Sequence, residues 1–195
     1  LDVEEVSVPA HDLGVELTVI YFVEGFFDGI RNNFVGKTKF DKESFELAKM
    51  FFNGEKSWKD LSHTNKLFIH IGEYIKEKYG SRFYAKAQEI RKEVLQGFFE
   101  AFKKYDMLIL PTVPGLPEKI PNIDMSMEEY FFTCLGSITP CTSVYNLTGF
   151  PALSINYSKK EKICPVMIVG RHFEDHRVLQ LAKLIENLNL ILIIK

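Results

Sequence analysis

Apolar positions recur at helical spacing over several stretches of this chain. The clearest begins at Ser81, a suitable N-cap, and its apolar face comprises Ala87, Ile90, Val94, Phe98, Ala101, Phe102 and Tyr105. A second stripe follows Glu174 and Asp175, two acidic residues that suit a helix start. The pattern predicts helices over 81–105 and 174–188. Further helices are expected over 15–30, 42–52, 60–78 and 127–136, the first interrupted near Gly25 and Gly29.

Short continuous apolar runs alternate with these helices. Three of them, at 107–110, 152–155 and 166–169, are bounded by proline or glycine, which is typical of strands buried beneath helices. Residues 3–8 mix β-branched and acidic side chains before Pro9 and predict a further short strand. Strands alternating with helices favour an α/β fold.

Charge and cysteine content narrow the class of protein. The 195 residues carry a formal net charge of −2, so nucleic-acid binding through bulk charge is not expected. No apolar run approaches the roughly 20 residues of a membrane span, and no membrane partner is predicted. The three cysteines show no CxxC spacing and indicate a reducing, cytoplasmic compartment rather than a disulfide framework or zinc site.

Motifs that carry catalytic chemistry are sparse. The sequence has no GxSxG elbow, no phosphate-binding GxxxxGK[ST] and no GxGxxG. His172 and His176 stand four residues apart, as two metal ligands on one helix face would, although the acidic residues between them suit an ordinary helix start. Ser143 lies among small hydroxyl residues without a nearby base. We predict no catalytic residue, no metal and no cofactor within this chain.

Three segments together resemble the C-terminal portion of the amidase signature family. They are residues 105–112 (YDMLILPT), 145–154 (YNLTGFPALS) and 165–175 (PVMIVGRHFED). Residues 8–11 (VPAH) and 82–88 (RFYAKAQ) are similar to family segments as well, so the resemblance extends from about residue 3 to residue 186. It implies an α/β fold whose mixed sheet is covered by helices.

The family's activity implies groups that this sequence lacks. Amidases of this kind hydrolyse a carboxamide through a serine nucleophile, activated by a second serine in a cis peptide and by a lysine. In the family these groups lie upstream, in a glycine- and serine-rich stretch without counterpart here. We therefore expect residues 1–195 to form the C-terminal part of an amidase domain acting on linear amides. Alone it should be inactive, and its expected protein partner is the missing N-terminal half or a second copy in a homodimer.

The resemblance also implies a site. The family segment before the Asn-Leu-Thr-Gly turn lines the acyl pocket, which assigns binding of a small-molecule amide to Thr142, Ser143 and Tyr145; packing beside a turn is the alternative. The glutaminase subunit of the tRNA-dependent amidotransferase carries an aspartate where Thr139 stands here. This favours a simple amidase over that glutaminase, and a non-catalytic amidase-like binding module is the third hypothesis.

Overall fold

The computed structural model describes residues 2–26, 61–115, 140–159 and 162–187, together with positions 120, 122, 124–126, 128, 129 and 133. The predicted helix over 42–52 lies outside the described residues, as does most of the one over 127–136. The backbone divides into two compact units. We call them the sheet unit (Leu1–Val15, Arg91–Lys119 and Gly136–Lys195) and the helical unit (Glu16–Ile90 and Ile120–Leu135).

The described elements follow one another in a simple order. A 3₁₀ turn at Pro9–Leu13 precedes α1 (Gly14–Ile20), a π-helical turn (Tyr21–Phe26), α2 (His63–Tyr79) and α3 (Arg82–Lys104). The remaining elements are β1 (Leu108–Pro111), α4 (Ser143–Thr148), β2 (Ala152–Lys159), β3 (Lys162–Val169) and α5 (Asp175–Asn187). The predicted alternation of helices and strands is observed only in part, because β3 follows β2 with no helix between them in the described residues.

The three described strands form an antiparallel sheet in the order β1-β3-β2. Strand β3 is central, and its residue Ile168 pairs with Ile109 on one side and Leu153 on the other. Helix α5 covers this face through Val178, Ala182 and Ile185, which form a buried cluster with Ile168. These strands are the three apolar runs of the sequence, with β2 and β3 extended into a hairpin.

The predicted strand over residues 3–8 is wrong. Residues 2–8 form neither helix nor strand, and Val3 and Val6 are exposed. Strand propensity reflects packing on a pleated, half-buried surface, so β-branched residues without a paired neighbour do not form a strand. The chain instead turns at Pro9, where proline suits the first position of a helical turn.

The C-terminal part of α3 forms the centre of the sheet unit. Val94, Phe98 and Phe102 lie on its buried face, as the apolar spacing predicts. The helix end is fixed by Arg171, whose guanidinium donates to the carbonyl oxygens of Phe102 and Tyr105. Since the last carbonyls of a helix have no partner within it, this arginine satisfies two of them.

The helical unit is centred on Leu17, Val23 and Ala87. Its helix α2 is capped by Ser62, whose hydroxyl accepts a hydrogen bond from the Asn65 amide at 3.2 Å. Near the expected interruption at Gly25 the chain forms a π-helical turn rather than a break. None of the helices in the described part of the chain has the length and apolar content needed to cross a membrane.

Candidate functional site

The residues that the resemblance assigns to the acyl pocket lie at helix α4. The conformation of the chain at the C-terminal end of this helix accounts for its Asn-Leu-Thr-Gly sequence. Gly149 follows the helix with φ of +78°, a left-handed conformation that glycine adopts without strain. Its amide donates to the Tyr145 carbonyl oxygen at 2.7 Å, and the Thr148 hydroxyl donates to the Val144 carbonyl oxygen at 2.7 Å. The Asn-Leu-Thr-Gly sequence is therefore a helix terminus. We call residues 142–149 the pocket segment.

The structure brings Thr142, Ser143 and Tyr145 together at the start of this helix. Ser143 is 2% exposed and Tyr145 is 5% exposed, whereas Thr142 is half-buried. The helix lies close to the N-terminal residues of the sheet unit: a Cβ atom added at Gly14 would be 2.8 Å from the Val144 Cβ. Of these three residues, Thr142 is the one whose side chain is accessible to solvent in this chain. Their binding of substrate stays a prediction.

The Tyr145 ring is enclosed by two other rings. Its centroid lies 5.4 Å from that of Phe98 and 5.9 Å from that of His11. Burial raises the pKa of the Tyr145 phenol well above its usual range, and at high pH the negative charge of the Cys141 thiolate raises this pKa further. Burial also raises the pKa of Cys141. In this chain both groups are therefore protonated at neutral pH.

The Tyr145 hydroxyl should resist ionisation in the folded protein. An unfolded tyrosine titrates near pH 10. Because the folded pKa is raised, the contribution of Tyr145 to stability is complete below about pH 10 and declines as pH rises toward the folded pKa. We expect the absorbance difference between the parent protein and Tyr145→Phe to show no tyrosinate at pH 10 until the fold is denatured. A full tyrosinate signal from this residue in the native protein at that pH would contradict the enclosed position.

His11 is a residue whose position the sequence pattern did not predict. Its ring packs on Phe98 and Tyr145, and its Nδ1 lies 3.9 Å from the exposed carboxylate of Asp12. Within the described residues its buried Nε2 has no hydrogen-bond partner. The contacts that enclose its ring are aromatic ones. The sequence signal available was only Pro-Ala-His before a buried helix.

Two side chains from other elements contact the C-terminal end of α4. Arg91 of α3 donates through Nε to the Leu147 carbonyl oxygen. The His172 Nε2 lies 2.9 Å from the Thr148 carbonyl oxygen, which can only accept, so this nitrogen carries the proton. Neither role was apparent from the sequence, because partners 56 and 24 residues apart leave no local pattern.

The position of His172 bears on the two interpretations of its spacing from His176. Helix α5 begins at Asp175, so His172 lies in the preceding turn and does not share a helix face with His176. Its ring instead stacks on Phe150, with centroids 4.1 Å apart and an interplanar angle of 18°. The described part of the chain contains no group of three or more histidine, cysteine, aspartate or glutamate residues arranged to hold a metal ion.

Comparisons with known proteins agree on one family. A family model described as "Amidase" matches residues 1–179. The "Enantioselective amidase" of Rhodococcus rhodochrous is 31% identical over 93% of this chain and 36% of its own length. A glutamyl-tRNA(Gln) amidotransferase subunit of Archaeoglobus fulgidus is 29% identical over 80% of this chain and 32% of its own length. This chain thus spans about a third of either relative.

A solved structure supports the fold. "Structure of 6-aminohexanoate cyclic dimer hydrolase" is similar over 97% of this chain and 38% of that protein, with a TM-score of 0.64 and 16% sequence identity. The resemblance to the amidase signature fold that the motifs indicated is thereby confirmed.

Proposed function

Because this chain belongs to the amidase family, we propose that the protein carrying it hydrolyses a carboxamide to a carboxylate and ammonia or an amine. The observation that carries this proposal is the family match over residues 1–179. The chain's own part is to form one wall of the acyl pocket through the pocket segment. The substrate is a small linear amide, and the setting is the cytoplasm.

The reaction needs groups that the described residues do not offer at this segment. In amide hydrolysis by this family a serine oxygen adds to the carbonyl carbon, and the C–N bond then breaks as a proton passes to the leaving nitrogen. Water then hydrolyses the resulting ester. Ser143 does not fit the nucleophile, because it is 2% exposed and a substrate carbonyl carbon cannot reach its hydroxyl oxygen. We propose that the nucleophilic serine and its lysine lie outside this sequence.

The test compares this 195-residue chain with the complete product of its gene. The chain alone should release no ammonia from acetamide or benzamide, whereas the complete product should hydrolyse at least one primary amide. Replacing the serine of its glycine- and serine-rich stretch with alanine should abolish that activity. Turnover that copurifies with the shorter chain would overturn the assignment of the nucleophile, and an open reading frame without such a stretch would overturn the proposal of an active amidase.

A second candidate is the glutaminase subunit of a tRNA-dependent amidotransferase. The similarity to the Archaeoglobus fulgidus protein supports it, while Thr139 in place of an aspartate disfavours it. Ammonia release from free glutamine, stimulated by partner subunits and charged tRNA, would favour this candidate over hydrolysis of simple amides.

Amide binding without turnover by the complete product would instead favour a non-catalytic binding module. A homodimer, or a complex with a separately made N-terminal half, would be recognised from the mass in solution.

A further inference from the structure

The pocket segment is too short to hold its own position. Helix α4 has six residues, and isolated helices shorter than about 12 residues are marginal in water. Its last turn exposes carbonyl groups that need partners from elsewhere. Within the segment, the Gly149 amide donates to the Tyr145 carbonyl oxygen and the Thr148 hydroxyl donates to the Val144 carbonyl oxygen. The two carbonyl oxygens closest to the end, those of Leu147 and Thr148, are bonded by side chains of other elements.

These two side chains are themselves held by different parts of the sheet unit. Arg91 projects from α3, a helix of 23 residues, and its cationic guanidinium lies at the C-terminal end of α4, where a positive charge is favourable. The His172 ring is fixed by stacking on Phe150 and by an edge contact with Phe99, whose centroid is 5.5 Å away. The end of α4 is therefore held from two directions by groups with restricted freedom.

We propose that Arg91 and His172 are positioning residues that hold the pocket segment, and that they thereby determine which acyl groups the pocket accepts. This inference rests on the proposed function, because it takes the first turn of α4 as a wall of the acyl pocket. The helix is only about 9 Å long, so a shift at its last turn moves Thr142 and Ser143 as well. A displacement of about 1 Å at a substrate-positioning element can cost up to about 100-fold in rate.

The predicted effect is selective, which distinguishes it from a loss of folded protein. A bulky acyl group contacts the displaced wall, whereas a methyl group barely reaches it. In the complete protein, Arg91→Met and His172→Phe should lower kcat/KM for benzamide about tenfold more than kcat/KM for acetamide. Partial unfolding would lower both values by the same factor. Arg91→Lys, which keeps a donor and the charge, should recover part of the loss.

A comparison of His172→Phe with one further variant, His172→Gln, separates the contacts of His172. His172→Phe keeps an aromatic ring against Phe150 but removes the donor, whereas His172→Gln keeps a donor and removes the ring. If the bond to the Thr148 carbonyl oxygen positions the segment, His172→Gln should retain more benzamide selectivity than His172→Phe. The reverse order would show that ring packing, not the hydrogen bond, holds the segment, and would overturn the role assigned to the imidazole N–H.

Arg171→Met is the matched control. Arg171 also donates to helix-terminal carbonyl oxygens, but at the end of α3 rather than α4. Its replacement should leave the benzamide-to-acetamide ratio within about twofold of the parent value. The Arg171 guanidinium contacts Phe102, Tyr105, Asp106 and Glu174, and none of these residues belongs to the pocket segment. An equal change of the ratio in this control would overturn the inference.

Hydrogen exchange tests whether Arg91 and His172 hold the pocket segment, and it does so independently of catalytic turnover. Arg91→Met and His172→Phe should speed amide exchange of the pocket segment by about tenfold or more, while Arg171→Met should not. If the complete parent protein hydrolyses no primary amide, the proposed function fails and the exchange result alone decides the anchoring. If it hydrolyses both amides and the variants change neither their ratio nor the exchange, the inference fails while the proposed function stands.

Discussion

Replacing Phe98 with alanine is expected to lower the free energy of unfolding by about 3–5 kcal/mol. Phe98 is 1% exposed, and its ring contacts the rings of His11, Tyr145 and Phe150. Removing it leaves a cavity between α3, α4 and the N-terminal turn, and these elements cannot all close on the space. Urea denaturation of the complete protein, followed by tyrosine fluorescence and far-ultraviolet circular dichroism, measures the change.

The neighbouring Phe99 supplies the control for this measurement. It has the same side chain on the same helix but is 41% exposed, with edge contacts to Phe150 and His172. Phe99→Ala should therefore cost only about 1 kcal/mol, in keeping with a largely surface position. Equal losses for the two variants would mean that the buried face of α3 is not the one described.

Gly170→Ala is expected to destabilise the sheet unit by about 1–3 kcal/mol. A Cβ atom at this position would lie 2.6 Å from the Cγ2 of Val178, a separation that real atoms do not adopt. Gly170 follows β3 and its amide donates to the Pro151 carbonyl oxygen at 3.0 Å, so the backbone cannot simply withdraw. Helix α5 has to move away from the sheet instead.

A double variant isolates the steric cause. Val178→Ala removes the atom that the new Cβ would meet, at a cost of about 2 kcal/mol for the lost packing. Combined with Gly170→Ala, the loss of stability should be smaller than the sum of the two single losses, because the added methyl group occupies part of the vacated space. Thermal or urea denaturation of the four proteins measures the coupling. Strict additivity would show that the close approach of β3 and α5 at this point has no energetic weight.

Local periodicity predicted the long helices and the three strands of the sheet, but it did not predict the short helix α4. The predicted helix over 81–105 is observed as Arg82–Lys104, and the run at 107–110 is observed as Leu108–Pro111. These segments are long or have a strongly periodic apolar pattern, so the residues within each segment are sufficient to predict its secondary structure. The strand predicted over residues 3–8 is not observed, because strand formation depends on a paired strand that only the tertiary fold supplies.

The surroundings of the pocket segment could not be predicted in the same way. Motif resemblance located Thr142, Ser143 and Tyr145, but it did not indicate that His11 encloses the tyrosine or that Arg91 bonds the Leu147 carbonyl oxygen. These contacts join residues far apart in the sequence, and no spacing rule connects them. The π-helical turn at Tyr21–Phe26 was missed for a related reason, since its single-turn geometry leaves no periodicity of its own.

The two anchors of α4 also impose an order of assembly during translation. Arg91 is synthesised before the helix, but His172 follows Thr148 by 24 residues. At about 5–20 residues per second, the ribosome needs about 1–5 seconds to add them. Until His172 has been added, Arg91 is the one of the two anchors that the pocket segment can use, and the Thr148 carbonyl group lacks its final donor. A ribosome that stalls between these positions therefore leaves the pocket segment without its second anchor, however much of the preceding chain has already folded.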